Sequence, residues 1–457
     1  MNRPTAPLMP SPDGAHPPAG HLTRASLLRT GAAAAGMVAL AACGGQDSSG
    51  AGLLKPGVPV EIEYWHTLAP ATNAEAQGRM QALKMSEAAN SQYVKIRWAQ
   101  EGGSDAQKII AGISAGTPPN LVVFRPNNGS QFYDLGASID METELKTLPS
   151  WSKIKAQLRQ TFVDGASWRG KLVALPLYRV FQAMIYAPEH LEKVGATVPA
   201  GSNWTWQAFQ DVSKRAARPP DVWGLDVAWS YSGWQNWAGS NGVRWINKEQ
   251  TKASFVQPDA LAAIEFLANY THGLQLMPPT AQGELLIKGQ SVFEQQGMYR
   301  APTLRQAGVR FESIDMPRGP KMNGAPLKQG SMYSLIVFKS PDPAKQRASA
   351  LLALGCLADD AQSEMCKIHL GLPITKSAED YPAYKQYVAQ DKQMKAFVDM
   401  SPSVEVRPSF PSVEMMFTLM DTTMANIYAK RDSIQSALQA AQDQTQRWLD
   451  ADNAAKK

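Results

Sequence analysis

Aromatic rings beside hydrogen-bonding side chains are the groups in this sequence best suited to chemistry. The densest aromatic stretch comprises Trp223, Trp229, Tyr231, Trp234, Trp237 and Trp245. Such rings stack on the C–H patches of a sugar, while Asp, Asn, Arg or Glu side chains bind its hydroxyl groups. Large aromatics also build cores, and we expect Trp223 and Trp245 there. Trp229, Tyr231 and Trp234 lie in or next to a predicted loop at 230–233. Each could therefore belong to the core or bind a ligand.

Catalytic patterns are weak by comparison. A glycosidase needs two carboxylates a few ångströms apart with different pKa values, and the acidic residues form no recognisable arrangement of that kind. The histidines lack the paired spacing of a zinc site. We therefore expect no enzyme activity, no metal and no cofactor. An exported glycoside hydrolase and a lipoprotein that binds another protein are the less favoured alternatives.

Length and charge restrict the class of protein. The chain has 457 residues, of which 44% are hydrophobic and 19% charged, with a net charge of +5. One core seldom grows to this size, so we expect two lobes. The basic residues are scattered and form no run, which gives no support to nucleic-acid binding.

The chain alternates between strand and helix patterns. Strands are predicted at 58–64, 94–98 and 121–124, with helices at 74–89 and 106–115 between them. This order is typical of a parallel α/β layer. A mixed middle and a helical tail at 431–449 follow.

The N-terminus has the order of an export signal. Arg24 and Arg29 precede an apolar run at 31–42, which is about half the ~20 residues that span a bilayer. Leu40-Ala41-Ala42-Cys43 is similar to the lipobox of bacterial lipoproteins, whose cysteine becomes acylated. We predict a signal peptide over 1–42, a flexible tether over 43–57 and an exported chain anchored to a membrane through Cys43. An ordinary signal peptide is the alternative.

Several short fragments occur in a characteristic order along the mature chain. They are Trp65-His66 after the first strand, Ala115-Gly116-Thr117-Pro118-Pro119-Asn120, Gly170-Lys171-Leu172-Val173-Ala174-Leu175-Pro176, Gly297-Met298-Tyr299, Met316-Pro317-Arg318-Gly319-Pro320, Gly330-Ser331 and Gly371-Leu372-Pro373. With this order the chain resembles, from about residue 58 to 449, the extracellular solute-binding proteins of ABC importers. The likeness is to the carbohydrate-binding branch that includes maltose-binding protein.

This resemblance implies an α/β fold of the type II periplasmic-binding-protein kind. Two α/β lobes would enclose a ligand cleft, with an N-terminal lobe at 58–177 plus 318–370 and a C-terminal lobe at 182–312 plus 374–457. Hinge crossings are implied near 177–182, 315–317 and 370–374. The function implied is capture of a sugar or oligosaccharide and its delivery to the transmembrane subunits of an ABC permease, by a monomer.

The resemblance also implies site residues. Tyr299 and Phe417 match aromatics that stack on sugar, and Asn127 and Asn128 stand where maltose-binding protein has an acidic–basic pair, a departure that makes maltose doubtful. The other residues assigned to ligand binding are Trp65, His66, Tyr178, Arg179, Arg300, Ser331 and Arg407, together with the three aromatics around 230–233. His66 either bonds a hydroxyl or caps a helix.

Three of these residues are arginines, and the alternative ligand depends on them. Arg179, Arg300 and Arg407 near one cleft would suit an acidic or phosphorylated sugar or a glycerol phosphate ester, through bidentate pairing. Cys356 and Cys366 either form a disulfide or remain buried thiols, and sequence spacing does not decide between these.

Overall fold

The computed structural model describes residues 53–71, 73–99, 106–278 and 284–456, all of which belong to one compact unit. The predicted signal peptide, Cys43 and the first part of the tether lie outside the described residues. No helix within the described ranges is both long and apolar enough to cross a bilayer.

The strands and helices follow the predicted α/β alternation. The strands are β1 (Val60–Trp65), β2 (Val94–Ala99), β3 (Leu121–Phe124), β4 (Ser167–Trp168), β5 (Lys171–Leu172), β6 (Leu175–Val180), β7 (Gln182–Tyr186), β8 (Trp223–Asp226), β9 (Ser291–Gly297), β10 (Glu312–Ile314), β11 (Lys328–Val337), β12 (Leu372–Pro373) and β13 (Val404–Val406). The helices are α1 (Ala74–Ala89), α2 (Ala106–Ser114), α3 (Pro126–Asp134), α4 (Met141–Leu145), α5 (Trp151–Gln157), α6 (Gln160–Gly165), α7 (Pro188–Glu192), α8 (Trp206–Ala216), α9 (Tyr231–Ser240), α10 (Pro258–Ala268), α11 (Ala301–Gln306), α12 (Pro343–Gly355), α13 (Asp359–His369), α14 (Lys376–Asp380), α15 (Pro382–Gln390), α16 (Lys392–Met400), α17 (Val413–Tyr428) and α18 (Ile434–Lys456). Short 3₁₀ turns lie at Gly201–Asn203, Met298–Arg300 and Ser401–Ser403, and a π turn at Asn269–Gly273.

Two sheets organise the molecule. The first has the strand order β12-β6-β11-β3-β1-β2, with β13 beside β11, and the second has the order β10-β7-β9-β8. In the first sheet β1 runs parallel to β2 and β3, whereas β11 is antiparallel to β3 and β6. The chain passes from the first sheet to the second between β6 and β7, where Phe181 is the only intervening residue.

Two apolar cores pack against the sheets, and the first reaches both of them, since it includes Ala183 and Ile185 of β7. Ile62, Val122 and Leu335 are fully buried in the first core. This follows from the alternation of apolar and charged residues in β1 and from the apolar runs of β3 and β11. The second core is aromatic, with Trp237 and Trp245 fully buried among aliphatic side chains. The expectation for Trp245 is thus confirmed, whereas Trp223 is only partly buried.

The apolar cores do not test the predicted lobe division, because the first core also contains Leu304 and Phe311 from the predicted C-terminal lobe. Tyr384, Met394 and Phe397, on α15 and α16, pack into the first core, and the chain joins the second core only from Phe410 onwards. α16 also contacts the second sheet, since Lys392 Nζ lies 2.6 Å from Glu312 Oε1 on β10. The lobe limits themselves stay a prediction.

The predicted loop at 230–233 is wrong. Ser230 caps α9, its side chain accepting from the Gly233 amide at 3.3 Å, so the helix begins at Tyr231. A polar Ser-Tyr-Ser-Gly stretch looks like a loop, yet a serine N-cap followed by a tryptophan-rich face is also a helix start.

Candidate functional site

A cavity of about 370 Å³ lies where the two sheets approach each other, and we call it the cleft cavity. Its walls come from both sheets, the β6–β7 connection, the start of α1 and two flanking loops. The lining residues are Asn73, Ala74, Glu75, Arg125, Val180, Phe181, Gln182, Ser232, Gln296, Tyr299, Arg300, Thr303, Ser331, Tyr333 and Arg407. Two tyrosine rings thus share a small space with amides, hydroxyls and charged groups.

Tyr299 is held in the cleft cavity by a chain of amide side chains. Its hydroxyl donates to Gln296 Oε1 at 2.5 Å and accepts from Gln182 Nε2 at 3.5 Å. Gln182 opens β7 and pairs in register with Gly297 at the end of β9, so strand pairing brings these groups together. Gln182 Oε1 in turn accepts from Asn236 and Gln295.

Gly297 leaves the space that the Tyr299 ring occupies. A Cβ at position 297 would lie 2.1 Å from Tyr299 Cε1 and within 2.8 Å of two further ring atoms. Real Cβ atoms do not approach ring carbons this closely, so a larger residue at 297 would displace the ring. The fragment Gly297-Met298-Tyr299 therefore has a steric reason for its glycine.

Three arginines line the cleft cavity in different electrostatic states. Arg125 Nη1 pairs with Glu414 Oε1 at 2.9 Å, and Arg300 Nε lies 3.2 Å from Glu294 Oε1. Burial raises the pKa of Glu294 to about 7, although the charge of Arg300 opposes this shift.

Arg407 has hydroxyl and aromatic neighbours in place of a carboxylate. Its Nη2 donates to Ser232 Oγ at 3.2 Å, and its guanidinium lies 5.3 Å and 5.9 Å from the ring centroids of Tyr231 and Phe417. Its Nε is buried and has no hydrogen-bond partner among the described residues. Burial lowers the pKa of Arg407, but an arginine in water-accessible protein remains charged.

Glu75 presents a carboxylate to the cleft cavity from the first turn of α1. The buried Arg79 lies one helical turn further on, with Nη2 at 3.4 Å from Glu75 Oε2. Arg79 also donates to Tyr178 Oη at 2.7 Å and to Thr67 Oγ1 at 2.9 Å. Burial raises the pKa of Glu75, and the cation of Arg79 acts in the opposite direction. Arg79 thus connects the cavity wall to β6.

The structure brings four of the predicted ligand-binding residues together at the cleft cavity: Tyr299, Arg300, Ser331 and Arg407. Tyr231 and Phe417 lie directly behind Arg407, with ring centroids 4.2 Å apart. Asn127 lies beside them and donates to Glu414 Oε1 at 3.1 Å. These three supply the second layer of the same wall.

The remaining predicted residues lie away from the cleft cavity. Tyr178, Trp234 and Asn128 are fully buried, the first as the partner of Arg79 and the second in the aromatic core. His66 is buried against the Trp98 ring, and Trp65 donates to Glu63 Oε1 at 2.7 Å. The half-buried Trp229 ring contacts Tyr428 at a centroid distance of 5.0 Å.

Arg179 faces a second, larger cavity of about 810 Å³. Successive residues of a strand point to opposite faces, so Val180 lines the cleft cavity while Arg179 lies behind β6. There Arg179 and Arg159 share the carboxylate of Glu379, at 3.0 Å and 2.5 Å. α15 and α16 contribute both apolar and charged side chains to this cavity, among them Val388, Lys395 and Val398.

Sequence reasoning missed most residues of the cleft cavity, since only four of the fifteen lining residues were named. Gln182 and Gln296 sit at strand ends, and Tyr333 lies two residues after the predicted Ser331 on β11. Arg125 directly follows β3, two positions before the asparagines that were named, and its place at a strand end was an available signal. The sequence also offered a signal for Glu75, because Glu75 lies two residues after Asn73, whose side chain caps the start of α1.

Two stretches have the spacing of catalytic motifs that sequence reasoning passed over. Residues 112–116 read Gly-x-Ser-x-Gly, but Ser114 ends α2 and its hydroxyl donates to the Ile110 carbonyl, whereas a nucleophile elbow requires a strand-to-helix turn. Residues 165–171 read Gly-x-x-x-x-Gly-Lys, but Leu172 follows and the segment forms the β4–β5 hairpin. Neither context is catalytic. Among the described residues no three His, Cys, Asp or Glu side chains are grouped to hold a metal.

A family model described as bacterial extracellular solute-binding protein matches residues 81–396. The chain belongs to this family. No curated protein sequence matches the chain.

Solved structures show the fold of this family member. An ABC substrate-binding protein from Listeria monocytogenes in complex with cycloalternan is 16% identical, with a TM-score of 0.72, covering 85% of this chain and 98% of its own. The cyclic α-maltosyl-1,6-maltose binding protein of Arthrobacter globiformis is 17% identical, with a TM-score of 0.71 and coverages of 86% and 99%. UgpB from Mycobacterium tuberculosis, in complex with glycerophosphocholine, is 14% identical, with a TM-score of 0.72 and coverages of 86% and 99%. The fold is that of the type II periplasmic solute-binding proteins, as the sequence predicted.

Proposed function

We propose that this solute-binding protein captures a sugar or oligosaccharide in the cleft cavity and delivers it to the transmembrane subunits of an ABC permease. One observation carries the proposal: rings and hydrogen-bonding groups from both sheets converge on the same cavity. Tyr299 supplies an aromatic ring, and Gln182, Gln296 and Ser331 supply donors and acceptors. Tyr333 lines the same cavity, although its ring also stacks on Tyr178 and lies 4.4 Å from the Arg79 guanidinium. Sugar recognition requires both kinds of group within one site.

The size of the cavity supports a small solute. Ligand pockets span about 300–1,000 Å³, and about 370 Å³ lies near the lower limit. We propose a ligand of one or two sugar units. One structural neighbour above is named for cyclic α-maltosyl-1,6-maltose, one is in complex with cycloalternan and one with glycerophosphocholine, so the fold accommodates chemically different solutes.

Binding is proposed to shift an equilibrium between open and closed arrangements of the two sheets. Only the closed arrangement lets a solute contact Ser331 on β11 and Tyr299 after β9 at the same time. A solute that binds the closed arrangement more tightly increases the population of that arrangement. The ratio of its affinities for the two arrangements limits the size of this shift. The single-residue connection between β6 and β7 is one place where the backbone would bend.

The protein is proposed to act outside the cytoplasm as a monomer and to release its solute unchanged. Membership of an extracellular family supports export. Acylation of Cys43 would hold the mature chain at a membrane surface beside its permease. The family and the structural neighbours are binding proteins rather than enzymes, which supports the absence of bond cleavage.

The experiment is a thermal-shift panel of neutral mono-, di- and trisaccharides with small-angle scattering on the best ligand. A ligand at 100 times its Kd stabilises the folded protein by about 2.7 kcal/mol, which raises Tm by several degrees. We expect one sugar to do so, the radius of gyration to fall, and chromatography to recover the sugar intact. An unchanged radius with a bound sugar contradicts the closure, and cleaved sugar identifies a hydrolase.

A further inference from the structure

The arginines around the cleft cavity differ in whether a carboxylate lies beside them. Arg125 and Arg300 each have a carboxylate within 3.2 Å, from Glu414 and Glu294 respectively. Glu75, the carboxylate of the cavity wall, is already engaged by Arg79. No carboxylate among the described residues lies within ion-pair distance of Arg407. Among these three arginines, Arg407 therefore faces the site without a carboxyl group beside it.

The groups that do surround Arg407 come from two helices, α9 and α17. Ser232 on α9 accepts a hydrogen bond from Arg407. The rings of Tyr231 on α9 and Phe417 on α17 lie beneath the guanidinium. Asp421 on α17 interacts with the charge of Arg407 at longer range. Asp421 accepts the Tyr231 backbone amide at 2.7 Å and lies outside ion-pair range of Arg407. The rings attract the cation through their π faces but leave its charge unneutralised.

We propose that the solute carries an anionic group, a phosphate ester or a carboxylate, and that Arg407 binds this group. The inference rests on the proposed function, because it takes the cleft cavity as the solute site. An anion seated there meets the donors of Arg407 together with the hydroxyls of Ser331 and Ser232, which line the same cavity. Guanidinium is suited to this task because its planar fork matches two oxygens of a phosphate or carboxylate.

The structure also discriminates among the three arginines named from the sequence. Arg179 lies behind β6 and shares Glu379 with Arg159, and Arg300 is paired with Glu294. An incoming anion would have to displace a carboxylate from either of them. At Arg407 the displaced partner is one serine hydroxyl, so binding there costs less desolvation and repulsion.

The experiment compares probes that share a sugar ring and differ in charge. Glucose, glucose 6-phosphate and glucuronate are titrated calorimetrically into the mature protein, with maltose and glycerophosphocholine as larger neutral and phosphodiester probes. The titrations are repeated with Arg407→Gln and Arg407→Lys. Arg305→Gln is the matched control, because it removes the same charge from an exposed pair with Asp391. Circular dichroism confirms that each variant is folded.

We expect an anionic probe to bind at least tenfold more tightly than its neutral counterpart. Arg407→Gln should weaken the anionic probe at least tenfold and the neutral probe less than threefold, with Arg407→Lys intermediate and Arg305→Gln unchanged. The comparison of neutral and charged probes on the unmodified protein needs no variant, so misfolding of Arg407→Gln does not remove the test.

Two other results overturn the inference in distinguishable ways. A neutral sugar that binds as tightly as its charged analogue, with no dependence on Arg407, refutes an anionic solute and leaves sugar capture in place. Absence of binding by every probe, together with no solute released from natively purified protein, refutes the proposed function and this inference with it.

Discussion

Replacing Tyr299 by alanine tests whether the cleft cavity is the solute site. The half-buried ring stands between the two sheets, and its hydroxyl joins Gln182 to Gln296. Alanine removes the ring face and leaves both amides without this partner. The backbone at 299 belongs to a short 3₁₀ turn that alanine tolerates, so the change is confined to the cavity wall.

The magnitude follows from the contacts that are lost. An aromatic contact contributes about 0.5–1.5 kcal/mol beyond the area it covers, and a neutral hydrogen bond about 1 kcal/mol. We expect Tyr299→Ala to weaken solute binding by at least tenfold, which corresponds to about 1.4 kcal/mol. Tyr299→Phe keeps the ring and loses only the hydroxyl, so its effect should be about 1 kcal/mol, roughly fivefold.

The assay is calorimetric titration with the solute that mass spectrometry identifies after release from natively purified protein. Tyr387→Ala serves as the control, because it removes an equal ring from α15, outside the cleft cavity. Its affinity should equal that of the unmodified protein. If Tyr299→Ala binds the solute with unchanged affinity, the ring does not touch the solute and the site lies elsewhere.

Three further predictions follow from the same packing. Gly297→Ala should displace the Tyr299 ring, which a Cβ would approach to 2.1 Å, and titration should show a loss of affinity similar to that of Tyr299→Ala; wild-type affinity would contradict this. Glu294 has its pKa raised to about 7 by burial, so the folded state keeps a proton that the unfolded chain loses above about pH 4.5. The free energy of unfolding should therefore fall as the pH rises from about 4.5 to about 7, and denaturant titrations of Glu294→Gln should lack this part of the slope. Cys356 and Cys366 are free, fully buried, and have raised pKa values because of that burial, so a thiol reagent should label both only after unfolding, and a mass two hydrogens lower would indicate a disulfide.

Local sequence patterns predicted most of the first α/β layer. The helix at 74–89 begins and ends where predicted, because Asn73 caps its first turn and alanines fill its interior. β3 also has its predicted bounds, since Leu121, Val122 and Val123 form a fully buried apolar run. Thr205 caps α8, its side chain accepting from the Ala208 amide, as is typical of a threonine at a helix start.

Side-chain direction was less predictable than backbone structure. Tyr178 and Arg179 were assigned to the ligand together, but neighbours on a strand point to opposite faces. Tyr178 consequently binds the buried Arg79, and Arg179 faces the second cavity. The tryptophans of α9 similarly face inward, because the helix that contains them covers an aromatic core.

By itself, the sequence determined the α/β class, the order of strands and helices, and the family, because these depend on patterns within a few residues of each other. Only the tertiary structure decided which side chains share the cleft cavity. Gln182, Gln296 and Arg407 come from distant parts of the chain and meet only after strand pairing and packing. The electrostatic state of each arginine was likewise decided by the fold, since Glu414 lies 289 positions from Arg125 and sequence separation says nothing about that distance in space.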